Sequence, residues 1–416
     1  MEKLRFIHAA DLHLDTPFRA LSSVDEELAR RLKEATFNSF RRIVDLCIEK
    51  EVDFLLIAGD TFDREDQSLA AQLRFVRELE RLSAAGIHTY LVCGNHDPLV
   101  SWVEEMQLPD RVVRFGSSKV GKAVYEKAGR PLAAIYGISY RTAREDRDLA
   151  GKFRGPDGDT PFSIAMMHAT PDDPGPHEPY ARFRLKELIH KGYDYWALGH
   201  IHKRNTLRDH APAVVYPGNP QGRDFGETGR RGCVLVEMEK GRKPGIEFIP
   251  TQEVRFEEVR IDMSGVDGFN ELTHLDRMAL ERISDPHPED SYILRIVLEG
   301  RTPLHKRLAR SGELEELRKA LNEEAAAGTP FLFIDSILSE TRPDIDLEEL
   351  REGNDFTAAL IKKVESLEPE AFLQEVEEAS GLPPAVLRRV HLDSAGKRDL
   401  LEKVKWMLLD QIIKEE

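Results

Sequence analysis

The sequence predicts an α/β protein in which two packed mixed sheets form the first domain, followed by a smaller α+β region and a helical tail. Three observations support this fold class. Strand-like and helix-like stretches alternate through about the first 100 residues, which is typical of α/β layers. From about residue 112, apolar strands follow one another with few helices between them, which predicts a second sheet. Near residue 255 the charge balance of the chain changes.

Hydrophobic patterning places the elements of the first domain in order. Apolar runs predict the first three strands, and amphipathic stretches predict the two helices between them. These strands are expected at 4–11, 53–60 and 87–97, with helices at 25–52 and 68–86. Five further strands are expected at 131–140, 161–168, 193–200, 213–219 and 232–239. Two polar segments rich in glycine and proline, 141–160 and 169–184, are expected to be loops.

The charge of the chain is distributed unevenly. Residues 1–255 carry 39 acidic and 38 basic side chains, whereas residues 256–416 carry 36 acidic and 21 basic ones, so the net charge of −16 belongs almost entirely to the last part. That part is predicted to contain strands at 291–300 and 330–338 around a helix at 312–328, and only helices from about residue 345. We therefore expect three domains, at 1–255, 256–343 and 344–416.

The composition is that of an ordinary cytoplasmic protein. The hydrophobic fraction is 41% and the mean hydropathy is −0.44, and no apolar stretch is long enough to cross a bilayer. The N-terminal stretch reaches acidic residues too early for a secretory signal. The three cysteines are scattered, which predicts free thiols in a reducing compartment. Because the first domain is nearly neutral, binding of a polyanion there is neither predicted nor excluded.

Metal-capable side chains end five of the predicted strands. In chain order these are Asp11 and His13, Asp60 and Asp63, Asn95 with His96 and Asp97, His168, and finally His200 and His202. In open α/β sheets, ligands collect beyond the carboxyl ends of strands, so we expect one shared site. Each block also has a simpler interpretation, such as a helix cap at Asp11 or Asp60, a turn at Asn95, or a buried core histidine at His168.

The residue types favour two metal ions. Two carboxylates, one amide oxygen and four imidazoles are too many ligands for one ion, and no cysteine belongs to the set. Imidazole-rich sites favour Mn, Fe, Zn or Ni over Ca and Mg. Two ions about 3.5–4 Å apart are the arrangement used for in-line displacement at phosphorus. The spacing of His200 and His202, two residues apart, predicts that both side chains point the same way if the chain there is extended.

Together the five motifs resemble those of the calcineurin-like metallophosphoesterases. They are Asp-x-His, Gly-Asp-x-x-Asp, Gly-Asn-His-Asp, a single His after an apolar strand, and Gly-His-x-His. The resemblance implies a four-layer αββα sandwich, in which two mixed β-sheets are flanked by helices. It implies that Asp11, His13 and His202 hold the first metal, that Asp60 bridges both ions, and that Asn95, His168 and His200 hold the second. It also implies that His96 protonates the leaving oxygen and that Asp63 orients His96.

The substrate expected from this resemblance is a phosphodiester. The phosphoprotein phosphatase branch has an arginine where this chain has Cys93, and its block ends in Glu where this chain has Asp97. The stretches FIHAADLHLDTPF, GHIH and VVYPGNPQGRDFGE are similar to DNA repair exonucleases of the SbcD and YhaO type. This similarity implies a Mn²⁺-dependent DNA exonuclease, or also an endonuclease, that works with a coiled-coil ABC- or SMC-like ATPase. It also allows a homodimer.

Several alternatives stay open at this stage. The enzyme could act on small diesters such as cyclic nucleotides, or the protein could be a non-catalytic scaffold that binds DNA and an ATPase. By the resemblance, the α+β region caps the cleft and selects DNA, and the acidic tail docks the ATPase; a solvated helical subdomain is the alternative for the tail. The basic residues available for DNA are Arg182, Arg184, Lys186, Lys203, Arg204, Arg208, Arg223, Arg230 and Arg231. The segment 218–229 that carries Arg223 is expected to be a plain connecting loop.

Overall fold

A computed structural model gives the fold of most of the chain. It describes residues 2–16, 26–63, 68–102, 107–145, 147–172, 180–283, 287, 289–325, 330–344, 347–369, 371–372 and 394–412. Two compact units are present. The first comprises Met1–Glu258, Ile283–Arg295 and Asn322–Asp335, and the second comprises Val259–Arg282, Ile296–Leu321 and Ser336–Glu416.

The first unit contains two six-stranded mixed sheets. In the first sheet the order is β12-β11-β1-β2-β3-β4, where β1 to β4 are parallel and β11 and β12 are antiparallel additions. Its strands are β1 Lys3–Ala9, β2 Phe54–Ala58, β3 His88–Val92, β4 Val112–Arg114, β11 Gly232–Glu239 and β12 Gly245–Pro250. The central strand β2 is buried along its whole length, as expected for a parallel strand covered on both faces.

The second sheet has the order β5-β6-β7-β8-β10-β9, in which β6, β7, β8 and β10 are parallel and the two edge strands are antiparallel. Its strands are β5 Gly121–Lys127, β6 Arg130–Ile138, β7 Phe162–His168, β8 Tyr195–Gly199, β9 Asn205–Arg208 and β10 Ala213–Tyr216.

Three apolar cores separate four layers in the first unit. On β1, Phe6 faces a core shared with the second sheet, while Ile7 faces helices on the other side, because successive side chains of a strand alternate between faces. Helices α1 Glu26–Glu49 and α2 Leu69–Ala84 cover the first sheet, and α3 Leu149–Lys152 and α4 Leu185–His190 lie against the second. The predicted αββα sandwich is therefore confirmed.

The remaining elements follow residue 250. A three-stranded sheet has the order β13-β14-β16, formed by Val254–Asp262, Ser291–Glu299 and Leu332–Ser339. A short parallel pair joins β15 Arg301–Thr302 to β17 Arg342–Pro343. The helices are α5 Leu275–Arg282, α6 His305–Leu308, α7 Ser311–Ala325, α8 Leu347–Glu352, α9 Phe356–Glu365 and α10 Ser394–Ile412. Within the described part of the chain, no helix combines the length and apolar character that a membrane span requires.

The structure differs from the sequence-based assignment in places. The predicted boundary after residue 255 lies inside β13, and the chain contributes three separate segments to each unit; the three-domain division stays a prediction. Seven of the strands described above were not predicted, namely β4, β5, β9, β12, β13, β15 and β17, and the expected loop at 141–160 contains the single-turn helix α3. In the tail, residues 373–393 lie outside the described ranges, while α8, α9 and α10 are helical as expected.

Candidate metal centre

The nine residues predicted from the sequence lie beyond the carboxyl ends of five strands from both sheets. The first sheet supplies those after β1, β2 and β3, and the second sheet supplies those at the ends of β7 and β8. They are Asp11, His13, Asp60, Asp63, Asn95, His96, His168, His200 and His202. Three groups have possible ligand atoms within 4.8 Å of one another: Asp11, His13 and His202; His13, Asp63 and His96, which shares His13 with the first; and Asp60, His168 and His200.

The first group joins the end of β1 to the segment after β8. Nε2 of His13 lies 3.2 Å from Nε2 of His202, and 3.9 Å from Oδ2 of Asp60. The Asp11 carboxylate accepts a hydrogen bond from the backbone N–H of His200 at 2.9 Å. Asp11 and His13 are both buried. Burial lowers the pKa of His13 well below its usual value, so this imidazole is neutral and offers a lone pair at neutral pH.

The second group surrounds His168. Its Nε2 lies 3.2 Å from Oδ2 of Asp60, 3.1 Å from Oδ1 of Asn95 and 3.3 Å from Nδ1 of His200. Its other nitrogen, Nδ1, is 3.0 Å from the carbonyl oxygen of Ala58 and donates to it. When His168 is neutral, its Nε2 lone pair therefore faces Oδ2 of Asp60, Oδ1 of Asn95 and Nδ1 of His200. Several lone pairs that face one another require a positive charge between them.

The electrostatics of this buried cluster fit cation binding. Burial works against ionisation of Asp60, but the neighbouring His168 holds the pKa of Asp60 well below its usual range. Burial alone would lower the pKa of His168, but the effect of the Asp60 carboxylate is larger, and the pKa of His168 is raised to about 9. The two groups thus stabilise opposite charges on each other. A divalent ion supplies the positive charge that the imidazole would otherwise take from a proton, and the residues present fit the metals expected from the sequence.

The backbone of these ligands is not extended, which corrects one step of the sequence argument. Strand β8 ends at Gly199, and His200 has a φ of 100°. Asp11, His13 and Asp60 have φ values of 54°, 43° and 50°. His200 and His202 therefore do not share a strand face, and they lie in different groups of the centre. Such left-handed conformations at non-glycine residues cost free energy and are concentrated at functional sites.

Two glycines permit the close approach of the strand ends. A Cβ atom added to Gly94 would overlap Oδ1 of Asp60, and one added to Gly199 would overlap the carbonyl oxygen of Ala58. Each glycine directly precedes a predicted ligand, Asn95 or His200. The glycines in the Gly-Asn-His-Asp and Gly-His-x-His motifs are thus explained by contact between the ligand-bearing segments.

Asp97 has a structural role that the sequence did not reveal. Its buried carboxylate accepts hydrogen bonds from the backbone N–H groups of Asp60 at 3.1 Å, Thr61 at 2.9 Å and Gly94 at 2.7 Å. It therefore joins the segment after β2 to the segment after β3. The sequence signal for this role is the spacing within the block, because a carboxylate three residues after Gly94 can close a turn onto that residue's N–H.

His96 is more exposed than the ligands around it, with 37% of its side chain accessible. Its Nδ1 lies 2.7 Å from Oδ1 of Asp63, and its backbone N–H donates to Oδ1 of Asp60 at 2.9 Å. Burial lowers the pKa of His96, but the hydrogen bond to Asp63 and the Asp60 charge outweigh it, so the net shift is upward. Asp63 thus orients the ring through Nδ1, which makes Nε2 the candidate nitrogen for proton exchange with a substrate.

The segment expected to be a plain connecting loop takes part in the centre. Oε1 of Glu227 lies 2.6 Å from Nδ1 of His202, which leaves Nε2 of that imidazole to face His13. Oε2 of Glu227 accepts hydrogen bonds from Asn219 at 2.8 Å and from the backbone N–H of Arg223 at 2.9 Å. Although burial opposes ionisation, His202 and Arg223 hold the pKa of Glu227 far below its usual range. An ionised carboxylate behind a metal-binding imidazole fixes its tautomer and orientation.

A cavity of about 840 Å³ opens above the groups. Its wall includes Asp60, Asn95, His96, Tyr180, His200, His202, Lys203, Arg204, Asp224, Gly226, Glu227, Thr228, Arg230 and Arg231. Of the nine basic residues considered for DNA contact, Lys203, Arg204, Arg230 and Arg231 line it, and Arg231 is buried and donates to the backbone oxygen of His202. Arg184 is instead paired with Asp172, and Arg208 donates to the carbonyl oxygen of Ala211.

Comparisons with known proteins agree on a metallophosphoesterase. A family model for calcineurin-like phosphoesterases matches residues 4–204, and one for the middle domain of metallophosphoesterase YhaO matches residues 256–342. The uncharacterized metallophosphoesterase YhaO of Bacillus subtilis is 38% identical over 348 residues, which are 83% of this chain and 84% of that protein. The DNA double-strand break repair protein Mre11 of Sulfolobus acidocaldarius is 24% identical over 312 residues, 73% of this chain and 77% of that protein.

Proposed function

Because this chain belongs to the calcineurin-like metallophosphoesterases, in the group that contains YhaO, we propose that it hydrolyses DNA phosphodiester bonds as a nuclease with two divalent ions. One observation carries the proposal. Two ligand groups, one with Asp11, His13 and His202 and one with Asp60, His168 and His200, approach each other to 3.9 Å between Nε2 of His13 and Oδ2 of Asp60. Asp60, His200 and His202 line a cavity whose wall also holds basic side chains and His96. The similarity to Mre11, named as a protein of DNA double-strand break repair, supports DNA as the substrate.

The chemistry divides between the ions and the chain. Two divalent ions, which we propose to be Mn²⁺, would supply Lewis-acid stabilisation of the charge that develops on the phosphate. Asp11, His13 and His202 would hold one ion, Asn95, His168 and His200 the other, and Asp60 both. In the hydrolysis, water attacks phosphorus and forms the new P–O bond, and its proton passes to solvent. His96 donates the proton from Nε2 to the leaving oxygen as the other P–O bond breaks. Asp63 keeps the imidazole ring oriented and favours its protonated form near neutral pH.

The basic wall of the cavity favours a polyanion over a small diester. Lys203 and Arg204 are exposed and follow His202 directly in the chain. The guanidinium of Arg204 lies 4.7 Å from the ring centre of Phe248, a cation–π distance that restrains its position. Asp224 is the exposed acidic residue on the same wall. Phosphates that flank the cleaved bond would find two positive groups here, a feature that a cyclic nucleotide would not use.

The test is a cleavage assay on labelled single- and double-stranded oligonucleotides after removal of metals, with and without Mn²⁺. We expect Mn²⁺-dependent cleavage. His96→Asn should lower kcat about 10²- to 10⁴-fold, the usual contribution of a general acid, and Mn²⁺ binding measured by calorimetry should persist. Hydrolysis of a small chromogenic diester without any cleavage of DNA would favour a small substrate. Binding of DNA without hydrolysis of either substrate would favour a scaffold.

The expected partners are further proposals from the same family. We propose that residues 256–343 select DNA and that the acidic helical region 344–416 docks an ABC- or SMC-like ATPase. In that region Trp406 and Leu409 of α10 pack against Ile361 of α9, so these helices bury part of their apolar surface on each other. The homodimer and the cytoplasmic location stay predictions. Addition of the cognate ATPase to the cleavage assay, with a chain lacking residues 394–412 as the control, tests the docking.

A further inference from the structure

Arg223 lies between two carboxylates that support different parts of the centre. Its Nη1 is 3.5 Å from Oδ2 of Asp63, the residue that holds His96. Its Nη2 is 3.0 Å from Oε1 of Glu227, the residue that holds His202. The guanidinium of Arg223 therefore contacts both Asp63, the partner of His96, and Glu227, the partner of His202.

The position of Arg223 is fixed from both ends. Its backbone N–H donates to Oε2 of Glu227 at 2.9 Å, while its side chain is only 17% accessible. Two residues later, Phe225 packs edge-on against Phe256, with ring centres 5.4 Å apart. The guanidinium of Arg295 lies 4.1 Å from the ring centre of Phe225. The segment that carries Arg223 is thus attached to β13 and β14 within the first unit, and it is not a freely moving loop.

We propose that Arg223 is a positioning residue that keeps His96 and His202 at a fixed separation by binding Asp63 and Glu227 at once. The inference rests on the proposed hydrolysis of diesters. A planar guanidinium directs several N–H groups along different lines, so it can serve two carboxylates together, whereas a lysine ammonium is a single point charge. Asp63 and Glu227 are both partly or fully buried acids, and the intervening cation also compensates their mutual repulsion.

Loss of Arg223 has two separable consequences. Asp63 would no longer be held on the side opposite His96, so the imidazole would protonate the leaving oxygen less efficiently. This defect matters for a nucleotide alkoxide, which leaves poorly, and little for p-nitrophenolate, which leaves without a proton. Glu227 would orient His202 less firmly, and the affinity for Mn²⁺ would fall, as is usual when a group behind a metal ligand is removed.

The experiment compares Arg223→Gln, Arg223→Lys and the matched control Arg242→Gln, which changes an exposed arginine that lies between β11 and β12 and pairs with Glu239. Each protein is tested on a thymidine dinucleotide and on thymidine 5′-p-nitrophenyl phosphate with saturating Mn²⁺. For Arg223→Gln we expect kcat on the dinucleotide to fall about 10²-fold more than kcat on the nitrophenyl ester. Mn²⁺ affinity, measured by calorimetry without substrate, should fall about 10-fold. Arg223→Lys should restore part of the Mn²⁺ affinity but not the leaving-group ratio, and Arg242→Gln should change neither.

The outcomes separate this inference from the proposed function. Equal losses on both substrates with unchanged Mn²⁺ affinity would overturn the positioning role, even if the variant unfolds at a lower temperature. In a His96→Asn background, Arg223→Gln should no longer change the leaving-group ratio, and a change that persists there would also overturn it. If the wild-type protein hydrolyses neither substrate, the proposed function fails, while the Mn²⁺ measurement still reports on the link from Arg223 through Glu227 to His202.

Discussion

His8 illustrates how burial between the two sheets controls a single residue. It lies on β1, fully buried, with Nδ1 3.1 Å from the hydroxyl oxygen of Tyr195 on β8. Burial lowers the pKa of His8 to about 3. The unfolded chain binds a proton at His8 below about pH 6.5, whereas the folded protein does not until about pH 3. Between these values the unfolded state binds more protons, so His8 destabilises the fold as the pH falls.

We therefore predict that His8→Phe flattens the pH dependence of stability. Phenylalanine keeps an aromatic ring at this position and cannot be protonated. Loss of the Tyr195 contact should lower the free energy of unfolding by a similar amount, about 1 kcal/mol, at every pH. From pH 6.5 toward pH 4, the wild-type protein should lose up to about 1.4 kcal/mol per pH unit more than the variant. Urea unfolding at several pH values in metal-free buffer measures both slopes, and parallel slopes would contradict the prediction.

At the scale of elements, the ends of the strands are packed so tightly that their glycines cannot be enlarged. Gly94 follows β3 and approaches Asp60, which follows β2. A methyl group at position 94 would force the two segments apart in a region where Asp97 already ties them together through three backbone N–H groups. The Asp60 carboxylate would therefore be displaced.

Gly94→Ala is predicted to destabilise the protein and to weaken metal binding. Overpacking of this kind costs about 1–3 kcal/mol, and the displacement of Asp60 should lower Mn²⁺ affinity at least about 10-fold. Gly116→Ala is the matched control, because a Cβ added there has no heavy atom within 4 Å. Thermal unfolding and calorimetric titration with Mn²⁺ give the two quantities. Equal thermal stability and equal Mn²⁺ affinity of the two variants would contradict the prediction.

The same elements show what the sequence could and could not predict. The central strands were found because they are continuous apolar runs, and the candidate ligands because they are chemically distinctive residues at the ends of those runs. Strands β5 and β9 were missed because they lie at sheet edges, where exposed residues interrupt the apolar pattern. Glu227 and Arg223 were missed as parts of the centre because their role depends on tertiary contacts with His202 and Asp63 that no local spacing encodes.

At the scale of the whole molecule, the net charge of −16 opposes the approach of DNA. Productive binding therefore depends on local positive groups and on bound cations. The cavity wall places Lys203 and Arg204 next to the candidate ligands His200 and His202, so Lys203 and Arg204 should contribute to DNA binding in a salt-dependent way. A small diester, which has one phosphate only, should be insensitive to them.

The double variant Lys203→Gln/Arg204→Gln is predicted to raise KM for oligonucleotides and to reduce its salt dependence. Each lost phosphate contact should lower the slope of log KM against log salt by about 0.7–0.9. The control is Arg242→Gln/Lys243→Gln, which changes two consecutive basic residues on a different surface. There, Arg242 pairs with Glu239 and Lys243 pairs with Asp209. Steady-state kinetics from 50 to 200 mM salt, chosen as about the range in which such effects are large, test the difference. An unchanged slope would exclude these residues from DNA binding.

The origin of the ligands from two sheets also makes the metal centre a reporter of folding. Asp11, Asp60 and Asn95 follow strands of the first sheet, while His168 and His200 come from the second. Neither sheet alone supplies the complete set of predicted ligands, so we expect metal binding to follow the docking of the sheets. The visible absorption of Co²⁺ depends on its ligands. In a refolding experiment, the appearance of this absorption would therefore report when the two sheets dock.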